Sequence, residues 1–154
     1  MSFGMNNVVL GPGEGRFVPV PGQPHTHKAH ADATRGAYAL WEVSLTGQGP
    51  PQHIHHAEEE AVYVLDGEID VKLGEETIRA TKGSFVLVAR GTAHTFWNVG
   101  PTPARLLVIV SPPGFEQMFD EVIGDGEIDP ASFVERVTAV AHKYNLEIIG
   151  PPLG

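Results

Sequence analysis

The chain has 154 residues, 42% of them hydrophobic, with 19 acidic against 10 basic side chains and no cysteine. That length suits one domain with a real core, the net charge of −9 disfavours nucleic acid as a partner, and the lack of thiols excludes disulfides and cysteine-ligated metals. No apolar run reaches the roughly 20 residues of a membrane span, and "MSFGMNNVVLGPGEG" lacks the basic start and long apolar middle of a secretion signal, so a cytoplasmic protein away from membranes is expected.

Residues 1–36 are rich in glycine and proline ("GPGEG", "PVPGQP") and carry "HTHKAH" at 25–30. They read as an irregular arm with one short strand near Phe17–Val20. The triplet His25, His27 and His30 has the chemistry to bind a metal, but on such an arm it is expected to be mobile. From Ala37 the chain changes to short β-rich runs: "AYALWEVSL", "AVYVL", "EIDVKL", "TIRA", "SFVLV", "AHTFWNV" and "ARLLVIV". Their close, regular spacing between turn signals predicts an antiparallel sandwich or barrel, and Asp66-Gly67 is read as a hairpin turn. After Val110 the apolar spacing becomes helical. Phe115, Met118, Phe119 and Val122 share one face, while Phe133, Val134, Val137, Val140, Ala141 and Tyr144 make a longer stripe. Asp129 before Pro130 is a helix start. The expected division is an arm at 1–36, a β-barrel core at 37–112, and a C-terminal helical extension at 113–154 packed on the same domain.

The stretch "PQHIHHAEEEAVYVLDG", residues 51–67, holds the densest group of metal-ligating side chains. His53 and His55 are two apart, so on a strand both imidazoles lie on one face. Glu60 shares its face with Val62 and Val64, which aims the carboxylate toward an apolar interior. His94 follows Gly91, which permits a tight turn. Three imidazoles and one carboxylate suit a divalent Fe, Mn, Co, Ni or Zn ion, with positions left open for catalysis. Glu58 reads as part of a solvated turn, His56 has the wrong parity, and His142 near a helix end reads as a surface residue.

These residues also carry a resemblance. Gly47, His53, His55, Glu60 and Gly67 match every spacing of G-x5-H-x-H-x3-4-E-x6-G, the first motif of the cupin superfamily. Gly83, Gly91, His94 and Asn98 match its second, G-x5-P-x-G-x2-H-x3-N, with Ala89 where the family has proline. Glu59 would satisfy a shorter gap but would put Gly67 out of step, so Glu60 is preferred. The chain therefore resembles a small single-domain cupin. The resemblance implies an all-β fold, the double-stranded β-helix or jelly roll, with metal ligands His53, His55, Glu60 and His94 converging inside the barrel.

Around that centre a mainly apolar pocket is expected. Val62, Val64 and Phe96 are candidates for its wall, and Tyr38, Trp41 and Tyr63 join them if their faces turn inward. Arg79 and Arg105 are expected to face solvent, which argues against phosphorylated or dicarboxylate substrates. An apolar pocket beside a redox-capable ion resembles the quercetinase-like cupin dioxygenases, implying dioxygen and a small aromatic or enolic substrate. Glu60 would serve as ligand and, when released from the ion, as the catalytic base. The alternatives are a non-catalytic binding or sensing cupin and a metal-assisted isomerase or lyase. Because "AVYVL" and "ARLLVIV" are apolar on both faces, a homodimer packed through a sheet face is expected.

Overall fold

The computed structural model describes residues 7–124 and 126–154. Its elements are β1 (Arg16–Val18), β2 (His25–Ala29), α1 (Ala31–Thr34), β3 (Ala39–Leu45), β4 (Gln52–His55), β5 (Glu59–Asp66), β6 (Glu68–Leu73), β7 (Glu76–Thr81), β8 (Phe85–Val88), β9 (His94–Asn98), β10 (Ala104–Ser111), α2 (Gln117–Ile123), α3 (Pro130–Val140), a 3₁₀ turn (Ala141–Tyr144) and β11 (Leu146–Gly150). Two sheets of antiparallel pairs face each other. One runs β1-β2-β3-β10-β5-β8 and the other β11-β4-β9-β6-β7. This is the antiparallel sandwich or barrel expected from the run of short strands, in the jelly-roll form that the resemblance implies, with two helices after it.

Alternation builds the interior. Along β10, Ala104, Leu106, Val108 and Val110 are buried between more exposed neighbours, and Ala39, Trp41, Val43 and Leu45 do the same along β3. A period of two sends each set to one face of its sheet. The two inner faces and the C-terminal helices join in one cluster that includes Val18, Ile69, Val71, Met118 and Phe133.

Three expectations change here. The short strand expected near Phe17–Val20 is β1, but residues 25–29, assigned to the irregular arm, supply a second strand, β2, which pairs with β1 and with β3 through His25↔Val43 and His27↔Trp41. Every second residue, His25 and His27, is buried against the sheet interior, so a segment of weak β propensity is held by its tertiary context. Asp66-Gly67 is not a hairpin. β5 belongs to one sheet and β6 to the other, so the pair turns the chain across the barrel edge. Gly67 has φ 85°, and a Cβ there would stand 2.9 Å from the Ala104 Cα. Finally, residues 146–150, expected within a helical extension, form β11 and pair with β4.

The helices pack as their stripes predict. Phe115, Met118, Phe119 and Val122 are buried around α2, and Phe133, Val137 and Ala141 along and after α3. Both helices lie over the barrel mouth rather than along the outer face of the six-stranded sheet, since their inward side chains reach the cavity between the sheets. Asp129 caps α3 by accepting from the Ser132 backbone N–H (2.9 Å) and hydroxyl (2.7 Å), with Pro130 behind it. Asp129→Ala should therefore cost about 1 kcal/mol and lower the melting temperature by about 2–4 °C. Calorimetry on the variant checks this. No described helix is long and apolar enough to cross a membrane.

Candidate metal centre

β4 brings His53 and His55 inward, Glu60 is the second residue of β5, and β9 opens with His94. All four are buried, and their donor atoms lie within 4.8 Å of one another. Pairing places them: His53 is opposite His94 across β4 and β9. Gly91, at φ 79°, turns the chain into β9 and donates its N–H to the His55 carbonyl (2.9 Å). Ala89, where the family has proline, still accepts from the Thr92 N–H (3.2 Å), so the turn closes without the ring.

The outward nitrogen of each imidazole is committed. His53 Nδ1 donates to the Pro51 carbonyl (2.6 Å), His94 Nδ1 to the Thr92 carbonyl (2.9 Å) and His55 Nδ1 to Glu58 Oε1 (2.7 Å). Carbonyl and carboxylate oxygens only accept, so the Nδ1 atoms carry protons and the Nε2 lone pairs are directed inward. Such second partners are what orient imidazoles on a metal. Glu60 Oε2 sits 3.0 Å from His55 Nε2 and 3.3 Å from His94 Nε2. His55 Nε2 is buried without a well-aligned hydrogen bond. Inward lone pairs beside a carboxylate, with one nitrogen orphaned, are the donor set a divalent cation requires, so these residues fit the group.

In the metal-free site His55 is the exception, holding a second proton, on Nε2 toward Glu60, until a cation displaces it. Burial alone would lower the His55 pKa, but hydrogen bonds and charge from Glu58 and Glu60 raise it to about 9. Burial likewise pushes the Glu60 carboxyl up, yet His55 and His94 hold it well below the usual carboxylate range. Burial, then the neighbouring His94 and His55, keeps His53 well below the usual imidazole value. Elsewhere, burial followed by His30 and Arg16 lowers His27 to about 3. The two directions predict a peak. A raised His55 stabilises the metal-free fold fully below pH 6.5, a contribution lost as pH rises toward 9. A depressed His27 costs stability as pH falls from 6.5 toward 3, because the unfolded chain takes up the proton. Metal-free protein should thus melt highest near neutrality, and a bound cation, displacing the His55 proton, should remove the alkaline decline. Melting temperatures from pH 4 to 9, with and without metal, test both limbs.

A cavity of about 540 Å³, its open mouth included, is lined by three of the four donor residues, His53, His55 and Glu60. Trp41, Phe96, Phe115, Phe119 and Phe133 line it, and no lysine or arginine does. Of the side chains considered for its wall, Trp41 and Phe96 lie on it. Tyr38 and Tyr63 do not: they are 41% and 43% exposed, because Tyr63 has the opposite parity to Val62 and Val64, and Tyr38 precedes β3. Val62 and Val64 do point inward but fill the core beyond Glu60 rather than the cavity wall. Glu58, expected in a solvated turn, is buried against His55. The opposite parity expected of His56 leaves it exposed beside Glu147 (2.9 Å). His142, Arg79 and Arg105 face solvent. His25, expected on a mobile arm, lines the cavity. Its signal was present in the sequence: His25-Thr26-His27 repeats the two-residue alternation of His53-Ile54-His55. The aromatic lid had a signal too, in Phe115 and Phe119 four apart.

The fold and this four-donor cluster define a jelly-roll protein with a centre of the kind that holds a metal ion. The chain belongs to the cupin family, its residues 39–110 matching the family described as "Cupin domain". Over 78 residues it is 36% identical to an uncharacterized protein of Streptomyces coelicolor, covering 51% of this chain and 69% of that one. It is 35% identical over 82 residues to polyketide synthase CurC of Streptomyces cyaneus, covering 52% of this chain and only 51% of CurC. The structure of the polyketide cyclase RemF from Streptomyces resistomycificus superposes with a TM-score of 0.58 at 22% identity, covering 66% of this chain and 77% of RemF. At that identity the likeness to RemF is one of fold.

Proposed function

We propose that this cupin is a metal-dependent enzyme that moves protons on a small, enolisable, aromatic or polyketide-like substrate, in a cyclisation or dehydration. The observation that carries the reading is an apolar cavity walled by aromatic rings and free of lysine and arginine, opening on His53, His55 and Glu60 of the four-donor cluster. The name of CurC supports the substrate class. A divalent cation held by His53, His55, Glu60 and His94 supplies Lewis acidity toward a substrate oxygen. The protein does the rest. Trp41 and Phe96 orient the flat substrate, and Phe115, Phe119 and Phe133 exclude water. Glu60, held anionic by His55 and His94, would be one of the ligands, and its carboxylate is the group at the site able to take a proton.

The test uses metal-loaded protein and pentane-2,4-dione in heavy water. Deuterium entering the central carbon faster than in buffer, with no oxygen consumed, supports the proposal. Oxygen uptake would instead favour a quercetinase-like dioxygenase, the second reading, which the redox-capable donor set supports. Binding with neither exchange nor uptake would reduce the protein to a sensor or carrier.

We also propose a homodimer. Tyr63, Phe85 and Leu87 are exposed together on β5 and β8, where Tyr63 pairs with Phe85, so the outer face of the six-stranded sheet offers an apolar surface for a second copy. Sedimentation at micromolar concentration should return twice 16.5 kDa.

A further inference from the structure

β2 and the residue that leads from it into α1 place three imidazoles in a row that the four-donor cluster does not include. His25 Nδ1 lies 3.3 Å from His27 Nε2, and His27 Nδ1 lies 2.6 Å from His30 Nε2. The inner end, His25, lines the cavity. His30, at the other end, is partly exposed. Between them His27 is buried, stacked on Trp41 at 5.1 Å and edged by Phe119 at 6.3 Å. His25 stacks on the same Trp41 at 5.6 Å and meets Phe119 edge-on at 4.7 Å. The row is thus clamped between a strand and α2, so its rings are held in line.

Two uses are open to three neighbouring imidazoles: a metal cage or a proton path. A cage needs one nitrogen from each ring aimed at a common point. Here His27 faces its two neighbours with different nitrogens, one toward each, which is the geometry of a path. Among the described residues the only group that meets the geometry for a metal ion is the one at His53, His55, Glu60 and His94.

We propose that His25, His27 and His30 relay a proton between the cavity and the surface, an inference that rests on the proton-transfer reading above. Every ring starts neutral with its proton on Nδ1. The substrate gives a proton to His25 Nε2, His25 passes its Nδ1 proton to His27 Nε2, His27 passes its own to His30 Nε2, and His30 releases one from Nδ1 to water. One proton leaves the substrate and one reaches solvent, and each ring ends neutral with its proton on Nε2. Sending a proton back the same way restores the starting tautomers without turning a ring. That return suits a reaction that removes a proton from carbon and then supplies one to a departing hydroxyl. The charged neighbours are placed accordingly. Glu60 stands near the His25 end, while Arg16 and Asp120, themselves paired at 2.7 Å, stand near His27 on the outer side. Burial keeps His25 well below the usual imidazole value, consistent with a neutral resting row.

Two measurements test the relay. In the first, metal-loaded His27→Phe and His27→Ala are compared with the wild type in the exchange of pentane-2,4-dione with heavy water. At unchanged metal content and diketone affinity, both should exchange at least about tenfold more slowly, the cost of losing one positioned proton carrier. Added imidazole should restore His27→Ala and leave His27→Phe slow, because only the alanine leaves room for it. Exchange at the wild-type rate in both variants overturns the relay. The second needs no substrate. Nitrogen NMR of the ¹⁵N-histidine-labelled protein should show a neutral His27 with couplings across both of its hydrogen bonds. A doubly protonated His27, or absent couplings, overturns the relay whatever the enzyme does. Absence of exchange in the wild type overturns the proton-transfer reading instead, and the NMR result alone then decides the row.

Discussion

His55→Ala should lower bound metal from about one ion per chain to less than a tenth of that, since losing a partner of a ligand already costs about 10–100-fold in affinity and here a ligand itself is lost. The reason lies in what His55 joins. Its Nδ1 binds Glu58 and its Nε2 faces Glu60, so one ring anchors two of the buried carboxylates. Alanine would leave two acids in the interior without their shared partner, a loss of about 3–5 kcal/mol by analogy with broken buried pairs. The melt should stay cooperative, because the core of both sheets is untouched. Glu58→Gln separates the two effects. It keeps every ligand, loses the charge that orients His55, and should weaken metal binding by about 10–100-fold. Elemental analysis of protein purified without affinity nickel, beside circular dichroism, reads both variants. Full metal occupancy in His55→Ala would mean that the four donors do not share an ion.

Gly49→Ala is the second large effect, and it arises from backbone packing. A methyl at Gly49 would stand 1.9 Å from the Phe96 carbonyl oxygen and 3.1 Å from its carbon. Both belong to backbone, so β9 itself would have to move. The neighbouring bridge Gln48↔Trp97 ties the two segments at this point, and β9 carries His94 two residues before Phe96. The variant should lose about 3–5 kcal/mol, as overpacking at its worst does, or roughly 10 °C in melting temperature for a chain of this size. Metal affinity should fall with it as His94 is displaced. Thermal melts and metal titration of the same preparation test the link. A melt within 2 °C of wild type would show that the strands do not approach this closely.

The four candidate donors were legible because their chemistry and spacing are local: His53 and His55 alternate on one strand, Glu60 lies at the start of the next, and His94 begins another. What the sequence hid was long-range. Nothing in "HTHKAH" says that β3 will pair with it, so His25 and His27 looked like surface residues on a loose arm. Glu58 looked solvated because its partner, His55, becomes visible only once the turn folds back. Tyr63 and Val62 differ only in parity, and which parity faces in depends on the opposing sheet. The C-terminal tail misled for a similar reason. "LEIIG" follows a helical stripe directly, and its strand state is imposed by β4. Helical periodicity correctly placed Phe115, Phe119 and Phe133 on apolar faces, yet could not say that those faces close the cavity mouth.

The pairing of β11 with β4 has a consequence for how the protein fails. β4 meets β9 at a single register pair but lies beside β11 along its length, with Leu146 opposite His55 and Ile148 opposite His53. Peeling residues 146–150 away would strip two imidazoles of their lateral support while the larger sheet stood intact. Loss of cargo and collapse of the shell should then be separate events, so a brief nick near the tail would yield a barrel that still scatters and melts like a folded one but no longer retains its ion.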